Sequence, residues 1–109
     1  MTHPALATFK SDLAQPDLLA RLRDGLIGEG VRITGPRGRM PLLYADYVAS
    51  GRALRQVEEF VMEHVLPFYA NTHTETSYCG AYSTQLREAA RAEIARIMGA
   101  GNDCHVVFS

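Results

Sequence analysis

The sequence predicts an α/β fold made of about three helices with short strands. Three stretches, beginning near residues 17, 53 and 84, place apolar side chains at the three- and four-residue spacing of helices. Two short apolar runs, 42–45 and 105–108, are typical of strands. Hydrophobic residues make up 47% of the 109 residues and charged residues 21%, which excludes a chain that is disordered throughout.

The N-terminal part, residues 1–28, is expected to be an arm followed by a helix. Residues 1–15 show no clear period, so we expect them to be irregular. Pro16 is typical of the first turn of a helix, and Gly28 is typical of the residue that follows one.

The next segment, 28–41, holds four glycines and two prolines, which predicts turns around a short extended piece at 31–34. Pro36-Arg37-Gly38 predicts a tight turn. The apolar run 42–45 predicts a strand that ends at a stretch of small residues, where the backbone can approach a neighbour closely.

A second helix is predicted from Ala53, and Pro67 should end it because proline cannot continue the helical hydrogen bonds. Segment 68–82 is polar and has no period, which favours a functional loop. Ser83 predicts the N-cap of the third helix, which ends before Gly99 and leads into the strand at 105–108.

Charge and residue counts narrow the classes of function. The net charge of −1 gives no basic surface for nucleic acid or an anionic membrane, so we expect neither partner. Cys79 and Cys104 form no disulfide framework or metal motif, and no secretory signal is visible, which favours a cytoplasmic protein. Lys10 is the only lysine.

Asn71-Thr72-His73-Thr74-Glu75 is the strongest local signal. His73 could transfer protons or stack on a flat ligand, although from composition alone a loop histidine that hydrogen-bonds its own neighbours is the commoner case. His73, Glu75 and Cys79 match no standard metal spacing, so no metal is expected. Ser50 is no hydrolase nucleophile elbow, because Val48 stands where a glycine is needed.

Four blocks in order resemble the class V aminotransferase family, whose members include cysteine desulfurases. They are Tyr44-Ala45-Asp46-Tyr47-Val48-Ala49-Ser50-Gly51-Arg52, Val65–Glu75, Leu86-Arg87-Glu88-Ala89-Ala90-Arg91 and Val106-Val107-Phe108-Ser109. The resemblance covers residues 29–109. It implies the start of the three-layer αβα large domain of a pyridoxal-phosphate-dependent enzyme of fold type I, which is usually a homodimer.

The resemblance also implies a reaction and a set of site residues. The parent enzyme acts on an amino acid through an external aldimine formed on pyridoxal 5'-phosphate. Ala49 and Ser50 line the substrate side, and Asn71 and His73 approach the cofactor or the substrate. No catalytic residue is implied within the chain itself.

Several family features have no counterpart in these 109 residues. The matched region ends before the phosphate-binding turn, and Lys10 lies upstream of every block, so it cannot stand for the Schiff-base lysine. We therefore expect an N-terminal fragment that is inactive alone and does not hold the cofactor by itself. Two alternatives are a non-catalytic module that docks on a homologous full-length subunit and an unrelated small α/β domain.

Overall fold

A computed structural model describes residues 2–109 and contains both helices and strands. Within this part of the chain, four α-helices accompany a two-stranded antiparallel hairpin, so the expected mixture is confirmed and helix dominates it. The elements in chain order are α1 (Pro4–Leu13), α2 (Leu18–Asp24), β1 (Arg32–Gly35), β2 (Gly38–Pro41), α3 (Arg55–Phe60), a π-helical turn (Val61–Val65), a 3-10 turn (Leu66–Phe68) and α4 (Tyr78–Ile97).

The elements belong to two units. Unit 1 comprises the described residues up to Gln15 together with Val61–Ser109, and unit 2 comprises Pro16–Phe60. Among residues 2–109, no helix combines the length and the apolar character needed to cross a membrane.

Helix α1 forms where an irregular arm was expected, so that prediction is wrong. Pro4 occupies the first turn, where its missing N–H costs nothing, and the Nδ1 atom of His3 accepts a hydrogen bond from the N–H of Ala5 at 3.2 Å. The helix contacts α4, and Lys10 forms an ion pair with Glu93 at 2.8 Å. The contact with α4, a helix far along the sequence, stabilises α1. The local sequence gives no sign of this contact.

Helix α4 begins at Tyr78 rather than after Ser83, so the predicted N-cap is wrong. The Ser77 hydroxyl accepts a 3.0 Å hydrogen bond from the N–H of Gly80 and caps the helix. The polar loop is therefore shorter than expected and ends at Ser77. Ala89 of α4 is the one buried hydrophobic residue in the described chain.

In unit 2, the hairpin confirms the expected extended piece and tight turn. Gly35 pairs with Gly38 across Pro36 and Arg37, so the two-residue turn sets the register of the strands. The partner of β1 is therefore β2, and the strand expected at 42–45 is wrong. Only the first residue of that run extends the pairing, through the N–H of Leu42.

Two segments around the hairpin complete unit 2. Helix α2 ends earlier than predicted, because Gly25 already closes it and its carbonyl accepts from the N–H of Arg55 at 2.8 Å. Leu26 and Leu54 form an isolated antiparallel bridge that joins the ends of α2 and α3. The helix predicted from Ala53 is confirmed as α3 and continues in unit 1 as the π-helical and 3-10 turns.

The strand expected at 105–108 is also wrong. Both strands of the described chain lie in unit 2, so the apolar C-terminal run has no ladder to join in unit 1. Instead, the ring of Phe108 lies under the guanidinium groups of Arg87 and Arg91, with centroid distances of 5.6 Å and 5.4 Å. A short apolar run therefore forms side-chain contacts here rather than a strand.

Candidate functional site

The four candidate residues lie in two loops, one in each unit. Ala49 and Ser50 follow the hairpin in unit 2, and Asn71 and His73 precede α4 in unit 1. All four are exposed. The structure therefore groups them in pairs, and each loop is described within its own unit.

The loop of unit 1, residues 69–77, is held against the side of α4 by hydrogen bonds. The Ser83 hydroxyl accepts from the N–H of Ala70 at 3.2 Å and donates to the carbonyl of Phe68 at 3.1 Å. One turn later, Arg87 donates to the Thr72 hydroxyl at 3.4 Å. Residues four apart on one helix face thus fix the loop on both sides of Asn71.

A close backbone approach fixes the second half of this loop. Gly80 is buried, and a Cβ atom there would overlap the carbonyl oxygen of Thr74 and lie 2.9 Å from its Cγ2. The hydroxyls of Thr74 and Thr76 also lie 2.9 Å apart within hydrogen-bonding distance. Glycine at position 80 therefore lets the loop fold onto the first turn of α4.

His73 has an unusual backbone. Its φ of 76° places it in the left-handed region, and it is the only non-glycine residue of the described chain with a positive φ. Its imidazole is exposed and forms no hydrogen bond, ion pair or ring contact with the residues that the structure describes. The ring is therefore available to hydrogen-bond or stack on a ligand.

Three aromatic rings from residues next to the loop pack against one another. Phe68 lies 4.6 Å from Tyr82 and 5.8 Å from Tyr78, measured between ring centroids. Burial, and then the neighbouring Tyr78, raise the pKa of Tyr82, so its phenol stays neutral and donates to the carbonyl of His64 at 2.7 Å. These contacts give Tyr82 a structural role beside the loop.

The loop of unit 2, residues 44–52, is closed by one tyrosine. The Tyr44 hydroxyl donates to the carbonyl of Ser50 at 2.5 Å, and the Tyr44 ring packs edge-on against Tyr47 at 5.4 Å. The Arg52 guanidinium lies over the Tyr44 ring, 5.3 Å from its centroid, and forms an ion pair with Glu29 at 3.3 Å. The loop is thus ordered by its own side chains.

Ser50 has no base to activate it. Its hydroxyl donates to the carbonyl of Gly51 at 3.3 Å, and no imidazole or carboxylate of the described residues contacts it. Ala49 presents only a methyl group beside it. The pair can bind a ligand through backbone and hydroxyl groups but has no means of nucleophilic attack.

Pyridoxal phosphate requires a lysine amine for covalent attachment, and the residues of this chain do not fit that need. Lys10, the only lysine, lies on α1 and is paired with Glu93. Hydrogen bonds from Arg96 and then from Lys10 lower the pKa of Glu93 to about 2, so the carboxylate keeps its charge and its partners. Residues 2–109 also contain no group of three or more side chains placed to hold a metal ion.

Sequence reasoning missed the residues that position the unit 1 loop. Arg87 and Arg91 of α4 are half-buried and lie over Phe108. Ser83 was recognised as a structural residue and assigned the wrong contact. The four-residue spacing of Ser83, Arg87 and Arg91 was the available signal, since it places all three on one face of a helix.

Comparison of the chain with protein-family models, with curated proteins and with solved structures gave no match. The resemblance to class V aminotransferases therefore stays a prediction from the four sequence blocks.

Proposed function

We propose that this chain supplies N-terminal, substrate-side elements of a pyridoxal-phosphate-dependent enzyme similar to class V aminotransferases and cysteine desulfurases, which acts on an amino acid. One observation carries the proposal. Both loops that the resemblance assigns to the active site are held by contacts within their own unit, and both leave the assigned residues exposed. Ordered loops that present unpaired polar groups are typical of binding sites.

On this proposal, the chain's residues bind and orient rather than react. The Asn71 amide and the His73 imidazole hydrogen-bond to the ligand, and the Ala49-Ser50 backbone shapes the substrate side. The cofactor, which supplies the electron sink of such reactions, is held by residues that these 109 do not include. The chain alone is therefore inactive.

The test is the mass and visible absorbance of the protein purified from its native source. The proposal expects a yellow species heavier than 12.0 kDa, whose absorbance changes when amino acids are added. Lys10→Arg should keep the colour, because the ion pair of Lys10 with Glu93 tolerates arginine. His73→Asn should keep the mass of the complex and reduce the spectral response to amino acids. A colourless species of 12.0 kDa contradicts the proposal.

The second candidate is a non-catalytic module that docks on a homologous subunit. Leu43 and Val48 favour it, since they are 88% and 102% exposed, and they lie just before the loop of unit 2 and within it. Large apolar side chains in such positions are typical of contact surfaces. This candidate predicts a colourless chain of 12.0 kDa that forms a stoichiometric complex with a larger homologous protein and leaves its amino-acid response unchanged.

A further inference from the structure

The hairpin of unit 2 has one apolar face and one basic face. Val31, Ile33, Met40 and Leu42 share a face, because Ile33 pairs with Met40 and the N–H of Leu42 bonds to the carbonyl of Val31 at 2.8 Å. The Met40 sulfur occupies the place where a Cβ of Gly35 would be, which confirms that its side chain covers this face.

Two strands cannot bury this apolar face by themselves. The four side chains remain 37% to 44% exposed. Isolated two-stranded hairpins are marginally stable, and a third strand or a packed element usually completes them. The face is therefore incomplete as it stands in unit 2.

The opposite face is cationic. Arg32 and Arg39 lie on it, and the Arg32 guanidinium donates to the carbonyl of Arg39 at 3.2 Å. Arg37 lies in the turn. Segment 30–45 contains these three arginines and no acidic residue, so the charge on the hairpin is uncompensated within it.

The two edges of the hairpin differ. In an antiparallel pair, the N–H and C=O groups of successive residues point alternately toward the partner strand and away from it. The backbone groups of Ile33 and Met40 point toward each other, so those of Arg32 and Thr34 on β1 point outward. On β2 the outward residues are Arg39 and Pro41. Pro41 has no N–H, and the Arg39 carbonyl already accepts from Arg32, so this edge offers an added strand fewer free backbone groups than the edge of β1 does. The edge of β1 is open, and no described strand pairs with it.

We propose that the open edge of β1 binds an extended segment of another protein in which apolar and acidic residues alternate. Paired beside β1, such a segment extends the apolar face with one set of side chains and places its carboxylates beside Arg32 on the other. The charge selects this occupant. A second copy of the chain would bring Arg32 and Arg39 of both copies onto one face with no acid to offset them.

The test uses the full chain and a labelled synthetic peptide of alternating glutamate and valine, with binding measured by fluorescence anisotropy. A lysine–valine peptide controls for charge. A glutamate–valine peptide methylated on every backbone nitrogen keeps the side chains but blocks strand pairing through either edge. We expect each control peptide to bind at least about tenfold more weakly than the acidic peptide.

Charge reversal provides the matched variant. Arg32→Glu should reverse the preference, so that the lysine–valine peptide binds better, and that gain also shows that the variant is folded. In the unaltered chain, bound acidic peptide should slow amide hydrogen exchange at Arg32 and Thr34, whose N–H groups point outward, and change that of Ile33 little.

Three results overturn the inference. The first is equal binding of acidic and methylated peptides. The second is binding to phosphatidylserine vesicles without binding of the acidic peptide, which assigns the face to a lipid surface. The third is self-association that protects Arg32 and Thr34 in the absence of peptide, which assigns the edge to a second copy. None of these outcomes depends on the proposed enzyme function, because the absorbance test concerns the loops.

Discussion

The Ser83 hydroxyl accepts a 3.2 Å hydrogen bond from the backbone N–H of Ala70, and this contact fixes the start of the unit 1 loop to the side of α4. The same hydroxyl donates to the carbonyl of Phe68 at 3.1 Å. A single side chain thus satisfies two backbone groups on the approach to Asn71. The loop owes its position to the helix that follows it in sequence.

Removing this hydroxyl should loosen the loop. Ser83→Ala leaves a half-buried N–H and a carbonyl without partners, which should lower the free energy of unfolding by about 1–2 kcal/mol. Urea denaturation measures this change. Gln85→Ala, an exposed position on the same helix, should change stability by less than about 0.5 kcal/mol. Equal effects of the two substitutions would contradict the role of Ser83.

Adding a methyl group at Gly80 should displace the loop. The new Cβ overlaps the carbonyl of Thr74, and backbone cannot move aside cheaply, so Gly80→Ala should cost about 1–3 kcal/mol. Gly51→Ala is the matched control, because a Cβ at Gly51 meets no atom within 4 Å. Thermal unfolding of both variants compares them. A neutral Gly80→Ala would show that Thr74 does not lie against the helix.

Substitutions at His73 should change the stability of the chain according to how well the new residue tolerates the left-handed region. His73→Val should destabilise the chain by about 1–2 kcal/mol, because a β-branched side chain is poorly accommodated at positive φ. His73→Asn, which tolerates this region, should stay within about 0.5 kcal/mol of the unaltered chain. Chemical denaturation provides the measurement. Loss of ligand response in a stable His73→Asn protein then reports on the imidazole alone.

His3 should make the docking of α1 sensitive to acid. Burial, and then repulsion from His64, lower the pKa of His3, and its Nδ1 atom must be unprotonated to accept from Ala5. The folded pKa lies below the unfolded value of 6.5, so this stability is present above pH 6.5 and is lost as the pH falls through the folded pKa.

Amide exchange at Ala5 between pH 7.5 and pH 5 tests this sensitivity, since protection should fall with pH. His3→Asn keeps a capping oxygen that does not titrate, so its protection should vary much less over the same range. An identical pH response in both proteins would assign the effect to a group other than His3.

Glu93 should stabilise the same pair of helices down to lower pH. Its pKa falls from 4.5 to about 2, first through hydrogen bonds from Arg96 and then through Lys10. This contribution is present above pH 4.5 and is lost as the pH falls through about 2. Glu93→Gln should therefore remove stability at pH 7 and little of it near pH 2.

Circular dichroism melts at the two pH values measure the loss. Glu88→Gln is the control, because its partner Arg91 has the same three-residue spacing but lies 3.6 Å away, farther than either cation paired with Glu93. Raising the salt concentration should reduce the difference between Glu93→Gln and the unaltered chain, since salt screens exposed charges. An effect that salt does not change would point to packing instead.

Local signals predicted the elements whose structure is decided locally. The Pro36-Arg37 turn and the helix after Ala53 follow from residues that are neighbours in sequence. The predictions that are wrong concern segments whose structure depends on a partner elsewhere in the chain. An apolar run such as 42–45 or 105–108 does not reveal whether a strand lies beside it, and here the turn register and Phe108 decide the outcome.

The same distinction applies to the candidate site. The polar loop before α4 was predicted, because it lacks a period between two strong helices. Its anchors were not, since both Ser77 and Ser83 suit an N-cap, and the close approach of Gly80 to Thr74 decides between them. Helix α1 was missed for a similar reason, because its partner lies at the other end of the sequence.

Unit 1 is assembled from two stretches of chain with the whole of Pro16–Phe60 inserted between them. Helix α1 can reach α4 only after the ends of that long loop have been brought together, at an entropic cost that rises slowly with loop length. Contacts of such long sequence separation are slow to form, because the closure entropy precedes the gain from the contact. The loop and α4 can therefore assemble first, and α1, the first of the described helices in chain order, joins after them.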